Sequence, residues 1–223
     1  MQDDVTLELD HLFIMCEAGA PEADALSRLG VNEGSSNTHP GQGTACRRFF
    51  FQNQYLELLW VCDPDEARDE AIRRTRLWDR WSARGPSACP FGVVLRARGD
   101  DASQLPFATC PYAPGYLPKA FTIAIAAETP LTEPEFFVLR FPRGHARAGQ
   151  ERHPHAIPLK QVTDVRIGTP VARPFSAAAR WAESSGLLSF ERSDDYVLRM
   201  TFDGGTSGKT ADLRPELPLA LRW

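Results

Sequence analysis

Hydrophobic and polar positions alternate along residues 5–16 (VTLELDHLFIMC). Leu7, Leu9, His11, Phe13 and Met15 fall on one face of a period-two pattern; Thr6, Glu8, Asp10, Leu12 and Ile14 fall on the other. That pattern predicts a strand, and its second half, apolar on both faces, predicts that the strand runs inward. Residues 21–29 (PEADALSRL) open on proline, carry acids next, and repeat Ala23, Leu26 and Leu29 at helical spacing before Gly30. They predict a helix. A polar loop, 32–44, holds His39-Pro40-Gly41-Gln42-Gly43. Two strand-like runs follow at 45–51 and 55–61, joined by the hairpin connection Gln52-Asn53-Gln54. Residues 65–83 then predict one amphipathic helix, with Ile72, Leu77, Trp78 and Trp81 inside and Arg68, Arg73, Arg74 and Arg76 in water.

Residues 90–98, 120–126 and 135–141 read as further strands, with a proline-rich connection at 105–118. Residues 143–155 are polar, basic and aperiodic, as an exposed loop or linker would be. The order then recurs: a strand at 161–168, a helix at 175–187, and strands at 188–191, 196–202 and 217–223, with a turn at Gly204-Gly205. A strand–helix–strand–strand–strand unit near each end suggests a structural repeat.

Composition changes this picture little. Hydrophobic residues are 43% and charged residues 24% of the 223, which is ordinary globular usage and argues against disorder. The formal charge of −4 gives no general pull toward nucleic acid or an anionic membrane. No apolar run approaches the roughly 20 residues that span a bilayer, and the acidic start is unlike a secretory signal. Five cysteines without CxxC spacing fit reduced, buried thiols. The expectation is a cytoplasmic protein. No GxGxxG, P-loop or GxSxG motif occurs; residues 204–210 (GGTSGKT) have the wrong spacing for a phosphate loop.

Three stretches resemble the glyoxalase-like branch of the vicinal oxygen chelate superfamily: LDHLFI at 9–14, HPGQGT through QYLELL at 39–59, and RHPHAIPLKQVTDVRI at 152–167. The resemblance implies an α+β fold of paired βαβββ modules, whose curled, mostly antiparallel sheets surround a cavity. The first module with extension strands is expected at 1–150 and a divergent second at 151–223. The resemblance also implies a divalent metal, held by the first and last strands of each module. On that reading His11 and Glu57 are metal ligands. Aligning LDHLFI with VTDVRI sets Asp164 opposite His11, and Ala220 falls where Glu57 would recur. The set His11, Glu57 and Asp164 is therefore incomplete, and Asp164 reads equally well as an ordinary exposed strand residue.

His11 and Glu57 are each a lone polar group among apolar neighbours. A buried carboxylate must be paired, liganded or protonated, and a His–Glu pair across one sheet satisfies this without a metal. His39 sits in a glycine loop where backbone can approach a ligand. Arg47 and Arg48 point to opposite faces, and whichever lines the cavity could bind a carboxylate or phosphate. With Arg48 as that residue, His39, Arg48, Tyr55, Phe13 and Phe50 are the candidate substrate-binding residues, with Trp60 as a further wall. His145, His153 and His155 fall in the basic loop. Two functions remain open. One is an enzyme in which His11 and Glu57 are catalytic, with or without a metal, in lyase, isomerase or dioxygenase chemistry on a small oxygenated metabolite. The other is a metal-free protein that sequesters a small molecule. Exposed edges of an open sheet also suggest a homodimer.

Overall fold

The computed structural model describes residues 6–98, 105–140, 154–173 and 175–223. His145 and His153, and most of the basic loop, lie outside them. An eight-stranded sheet is built in two halves. The first holds β1 (Thr6–Met15), β2 (Asn37–His39), β3 (Thr44–Phe50) and β4 (Tyr55–Val61), with α1 (Ala23–Leu29) after β1. The second holds β5 (Phe91–Arg98), β6 (Thr109–Tyr112), β7 (Thr122–Ala126) and β8 (Glu135–Arg140). The strand order is β2-β3-β4-β1-β5-β8-β7-β6. β1 runs parallel to β4 and β5 parallel to β8, while β1 and β5 meet antiparallel at the centre. The four strands of each half thus follow the same order outward from that centre.

The sheet curls. Gln42, in the turn after edge strand β2, accepts a hydrogen bond of 3.0 Å from the Tyr112 hydroxyl on the opposite edge strand, β6. Such a contact requires the two ends of the sheet to approach one another. The outer face packs Leu12, Ile14, Leu56, Leu58, Val93 and Phe136 into a core shared with a second sheet. That sheet comprises β9 (Val162–Thr169), β10 (Ser189–Arg192), β11 (Val197–Phe202), β12 (Thr210–Asp212) and β13 (Leu219–Arg222), in the order β10-β9-β11-β13-β12. Helix α4 (Ala177–Ser184) buries Ala178 and Ala182 in the same core.

The strand–helix–strand order expected in 151–223 is present, but those strands hydrogen-bond among themselves. The copy of the β1-β4-β3-β2 arrangement within the cavity sheet is β5-β8-β7-β6. Two features hide it in the sequence. β6 is a four-residue edge strand containing Pro111, tolerated because an edge strand needs fewer ladder donors. The described residues between β5 and β8 also contain no helix to mark a repeat. β2 and β12, three residues each, were equally too short to show a period.

The single helix expected at 65–83 is broken into α2 (Pro64–Ala67), a 3₁₀ turn at Arg73–Thr75, and α3 (Leu77–Ser82). Asp63 caps α2 by accepting from the Asp65 and Glu66 amides, and Arg76 adopts a left-handed conformation (φ 55°) that no continuous helix admits. Ile72 and Leu77 are buried as expected; Trp78 and Trp81 are half-buried.

Candidate functional site

A bulge in β1 sets the site. Leu9 pairs with Leu95 of β5, yet His11 pairs with the adjacent Val94, so Asp10 is an extra residue on β1. Strict alternation puts Leu7 and Leu9 on the face of His11 and Phe13. The bulge reverses this: Leu7, Leu9, Leu12 and Ile14 all enter the outer core, while Asp10, His11 and Phe13 line the cavity. β4 keeps regular alternation, so Tyr55, Glu57 and Leu59 also face inward.

The cavity measures about 200 Å³ and receives side chains from all eight strands of the curled sheet. Its floor joins three nearly buried groups: Asp10 (3% exposed), His11 (8%) and Glu57 (7%). Asp10 Oδ1 accepts from His11 Nδ1 at 2.8 Å, and Asp10 Oδ2 accepts from Arg96 Nε at 2.8 Å. An ionised carboxylate only accepts, so Nδ1 carries a proton, and Nε2 is the ring nitrogen left facing the cavity. His11 Nε2 lies 3.8 Å from Glu57 Oε2, too far for a hydrogen bond. The imidazole stacks on Tyr55, with centroids 4.2 Å apart and planes at 18°. Burial, followed by the charges of Glu57 and Asp10, pushes the Tyr55 phenol up. Burial, then Glu57, raises the Cys46 thiol behind it.

Arg48 resolves the choice between the paired arginines: it lines the cavity opposite Glu57 in the β3–β4 ladder. Its Nε donates to Ser35 O (2.8 Å) and its Nη2 to Ser35 Oγ (2.5 Å). Among the described residues it has no carboxylate within ion-pair distance. Arg47 points outward and pairs with Glu33 at 2.5 Å. Phe50 supports rather than lines: it lies under the Arg48 guanidinium, 5.1 Å from the ring centre, and against Tyr55.

His39 also reaches the cavity, with Nδ1 2.9 Å from Thr44 Oγ1 and Nε2 3.2 Å from Asn37 Nδ2. Burial lowers its pKa. The glycines around it serve packing. The amides of Gly41 and Gly43 both donate to Glu66 Oε2, at 2.7 and 3.0 Å, and a Cβ on Gly43 would stand 2.2 Å from Asp63 O. The close backbone approach in this loop is therefore to α2 and its cap.

Asp164 is not brought to the site. It sits on β9 of the second sheet, 41% exposed, and accepts from Arg166 at 2.8 Å. The match of VTDVRI to LDHLFI compared strands of different sheets. Ala220 lies on β13 of that same sheet, and Trp60 packs against the outer core, one residue out of phase with Leu59. His155 ties its segment to the first module, 3.1 Å from Phe50 O. Sequence reading missed Asp10, Arg96, Gln42, Tyr112 and Tyr116. Arg96 left a signal, a charge in the apolar run PFGVVLR. The tyrosines, in a proline-rich connection, left none.

A divalent metal does not fit these residues. β1 and β4 offer His11 and Glu57, but the corresponding strands of the other half, β5 and β8, offer Val94, Arg96, Phe137 and Leu139. Both oxygens of Asp10 are engaged. Among the described residues no three His, Cys, Asp or Glu side chains converge as a metal site.

A cavity sheet of two like-ordered halves, curled around inward-facing polar groups, defines a protein of the vicinal oxygen chelate class. The chain belongs to the glyoxalase-like domain family within that superfamily, whose profile matches residues 9–183. No protein with a curated description matches the sequence. In fold the chain is similar to a hypothetical protein from Staphylococcus aureus, at 10% identity and a TM-score of 0.55 over 97% of this chain and 98% of that one. A hypothetical protein from Bacillus halodurans (12% identity, TM-score 0.42) matches over 63% of this chain and 98% of its own. A variant of Streptomyces coelicolor methylmalonyl-CoA epimerase, in complex with 2-nitronate-propionyl-CoA, matches over 63% and 99% at 13% identity and a TM-score of 0.42. Among the described residues no helix is long and apolar enough to cross a membrane.

Proposed function

We propose that the cavity binds a small oxygenated acid with an apolar body, and that His11 and Glu57 move a proton on it in isomerase- or lyase-type chemistry. The observation that carries this is the setting of the His11 imidazole. One nitrogen is fixed by Asp10 at 2.8 Å; the other opens toward Glu57 across 3.8 Å. That is the arrangement a general base needs: a fixed tautomer, a free lone pair, and a second group able to receive the proton. The substrate C–H sits beside Nε2. His11 takes the proton, and the Glu57 carboxylate stabilises the imidazolium and can accept the proton in turn. Arg48, a cavity cation held by neutral acceptors, binds the acidic group of the ligand. Phe13, Val94, Ile123, Phe137 and Leu139 receive the apolar body and keep the site dry.

The test is solvent-deuterium exchange, followed by proton NMR, into oxo acids differing in carbonyl position and chain length, α-ketoisocaproate and levulinate among them. The wild type should exchange the C–H beside the carbonyl of at least one of them faster than buffer does. His11→Gln and Glu57→Gln should each lower that rate by about a hundredfold or more. Binding without exchange across the set would identify a sequestering protein and overturn the proton-transfer reading.

A further inference from the structure

We infer that Arg96, clamped by Asp10, is the cation that holds the substrate's carbonyl oxygen, in the role that the family resemblance would give to a divalent metal. The inference rests on the proton-transfer reading and adds the electrophile that reading lacks.

Three observations support it. First, removing a proton beside a carbonyl leaves charge on oxygen, and a buried site needs a fixed positive group there. Among the described residues no three metal-ligating side chains converge to supply it as a bound metal. Second, Arg96 comes from β5, on the cavity side, with its side chain only 15% exposed. It is the charged group among the cavity-lining side chains of that half's strands, the others being Val94, Tyr112, Ile123, Phe137 and Leu139. Third, the single carboxylate of Asp10 holds both Arg96 Nε and His11 Nδ1, each at 2.8 Å. Cation and base are thereby fixed to one another by a residue that the β1 bulge turns inward. Asp10 is a positioning residue; Arg96 touches the reacting oxygen.

The step balances without an oxidant or co-reactant. The C–H bond beside the carbonyl breaks, and its proton goes to His11 Nε2. The electron pair forms a carbon–carbon double bond, the carbonyl pair moves to oxygen, and the resulting enolate lies against the guanidinium. Return of a proton, exchanged with solvent through His11 or Glu57, restores the oxo acid. The substrate class is therefore an oxo acid or another enolisable carbonyl acid, with its acidic group on Arg48 and its carbonyl oxygen on Arg96.

The experiment uses chelator-treated full-length protein and compares wild type, Arg96→Gln, Arg96→Lys and His11→Gln. Exchange is read by NMR, and binding of α-ketoisocaproate and of isocaproate, which lacks the carbonyl, by calorimetry. Arg96→Gln should lower exchange by about a hundredfold or more. It should weaken binding of the oxo acid while leaving isocaproate binding unchanged. Arg96→Lys should retain part of the rate, and added methylguanidinium should restore part of it to Arg96→Gln. A purely structural role for Arg96 would weaken both ligands alike, with no rescue, and would overturn the assignment. So would full exchange in Arg96→Gln while His11→Gln is inactive, a result that leaves the proton-transfer reading standing. No exchange by the wild type would instead remove that reading and this one together.

Discussion

Asp10 and His11 are consecutive residues on one strand, yet both face the same cavity, with Asp10 Oδ1 2.8 Å from His11 Nδ1. Neighbours in a regular strand point to opposite sides. The exception follows from the bulge, which inserts Asp10 between Leu9, paired with Leu95, and His11, paired with Val94. Deleting Asp10 would restore strict alternation with Leu9 still outward and His11 still inward. The deletion variant should therefore fold, and should lose the proton-transfer activity along with the anchor of Arg96. Asp10→Asn keeps the bulge and removes the charge; its exchange rate should fall by about a hundredfold or more while far-UV circular dichroism is unchanged. Full activity in either variant would remove Asp10 from the site.

His39 gives the fold a dependence on pH. Burial is the largest influence on its pKa and lowers it from the ordinary 6.5; Glu57 opposes that shift, and His11 and Arg48 add to it. The unfolded chain thus binds more protons than the folded one between the folded and unfolded pKa values. The contribution of His39 is fully present above about pH 6.5 and is lost as pH falls from there toward the folded value. Urea midpoints measured from about pH 8 down to about pH 5 should decline over that window. His39→Gln should flatten the decline, and an unchanged slope in that variant would assign it to other groups.

Arg80 is fully buried on α3 and closes a different part of the molecule. Its Nη1 donates to the carbonyls of Cys89 (3.2 Å), Leu131 (3.0 Å) and Glu133 (2.6 Å), and its Nη2 to Glu135 Oε2 at 2.9 Å. Burial raises the Glu135 pKa even beside this guanidinium. Arg80→Ala leaves the buried Glu135 carboxyl group without its cation and takes a donor from each of the carbonyls named, and should cost about 3–5 kcal/mol in chemical denaturation. A loss below about 1 kcal/mol, the scale of surface ion pairs, would contradict this account of the α3–β8 junction.

Gly92 makes room for the cavity floor. A Cβ there would stand 2.0 Å from two ring carbons of Phe13, its partner in the β1–β5 ladder. The ring cannot withdraw as a flexible chain would, so Gly92→Ala should cost about 1–3 kcal/mol through overpacking. It should also weaken binding of apolar-tailed acids by pushing Phe13 into the cavity. Phe13→Leu in the Gly92→Ala background should recover stability. If it does not, the strain lies elsewhere.

Much of this architecture was legible in the sequence, because β1, β3, β4, β5, β9 and β11 are strand-like runs of six or more residues. Family membership was legible in LDHLFI and QYLELL. The inward positions of His11 and Glu57 followed from alternation, although for His11 the alternation was interrupted one residue earlier. That bulge has no signature in composition, so Leu7 and Leu9 were placed on the wrong face and Asp10 went unnoticed. Arg80, buried among carbonyls, was not singled out at all, because nothing in the amphipathic pattern of 65–83 marks one arginine as buried. Tyr112, Tyr116 and Gln42 meet through curvature of the whole sheet, which no local pattern encodes. Asp164 was misplaced for the opposite reason: a real local similarity joined strands belonging to different sheets.

Metal dependence tests the central claim most directly. Wild-type protein is stripped with a strong chelator, checked by elemental analysis, and assayed for solvent-deuterium exchange into the best oxo acid, with and without added zinc, manganese and magnesium. A site run by Asp10, His11, Glu57 and Arg96 predicts that the stripped protein exchanges at its full rate and that added ions do not raise it. Loss of exchange on stripping, restored by one of these ions, would contradict the account.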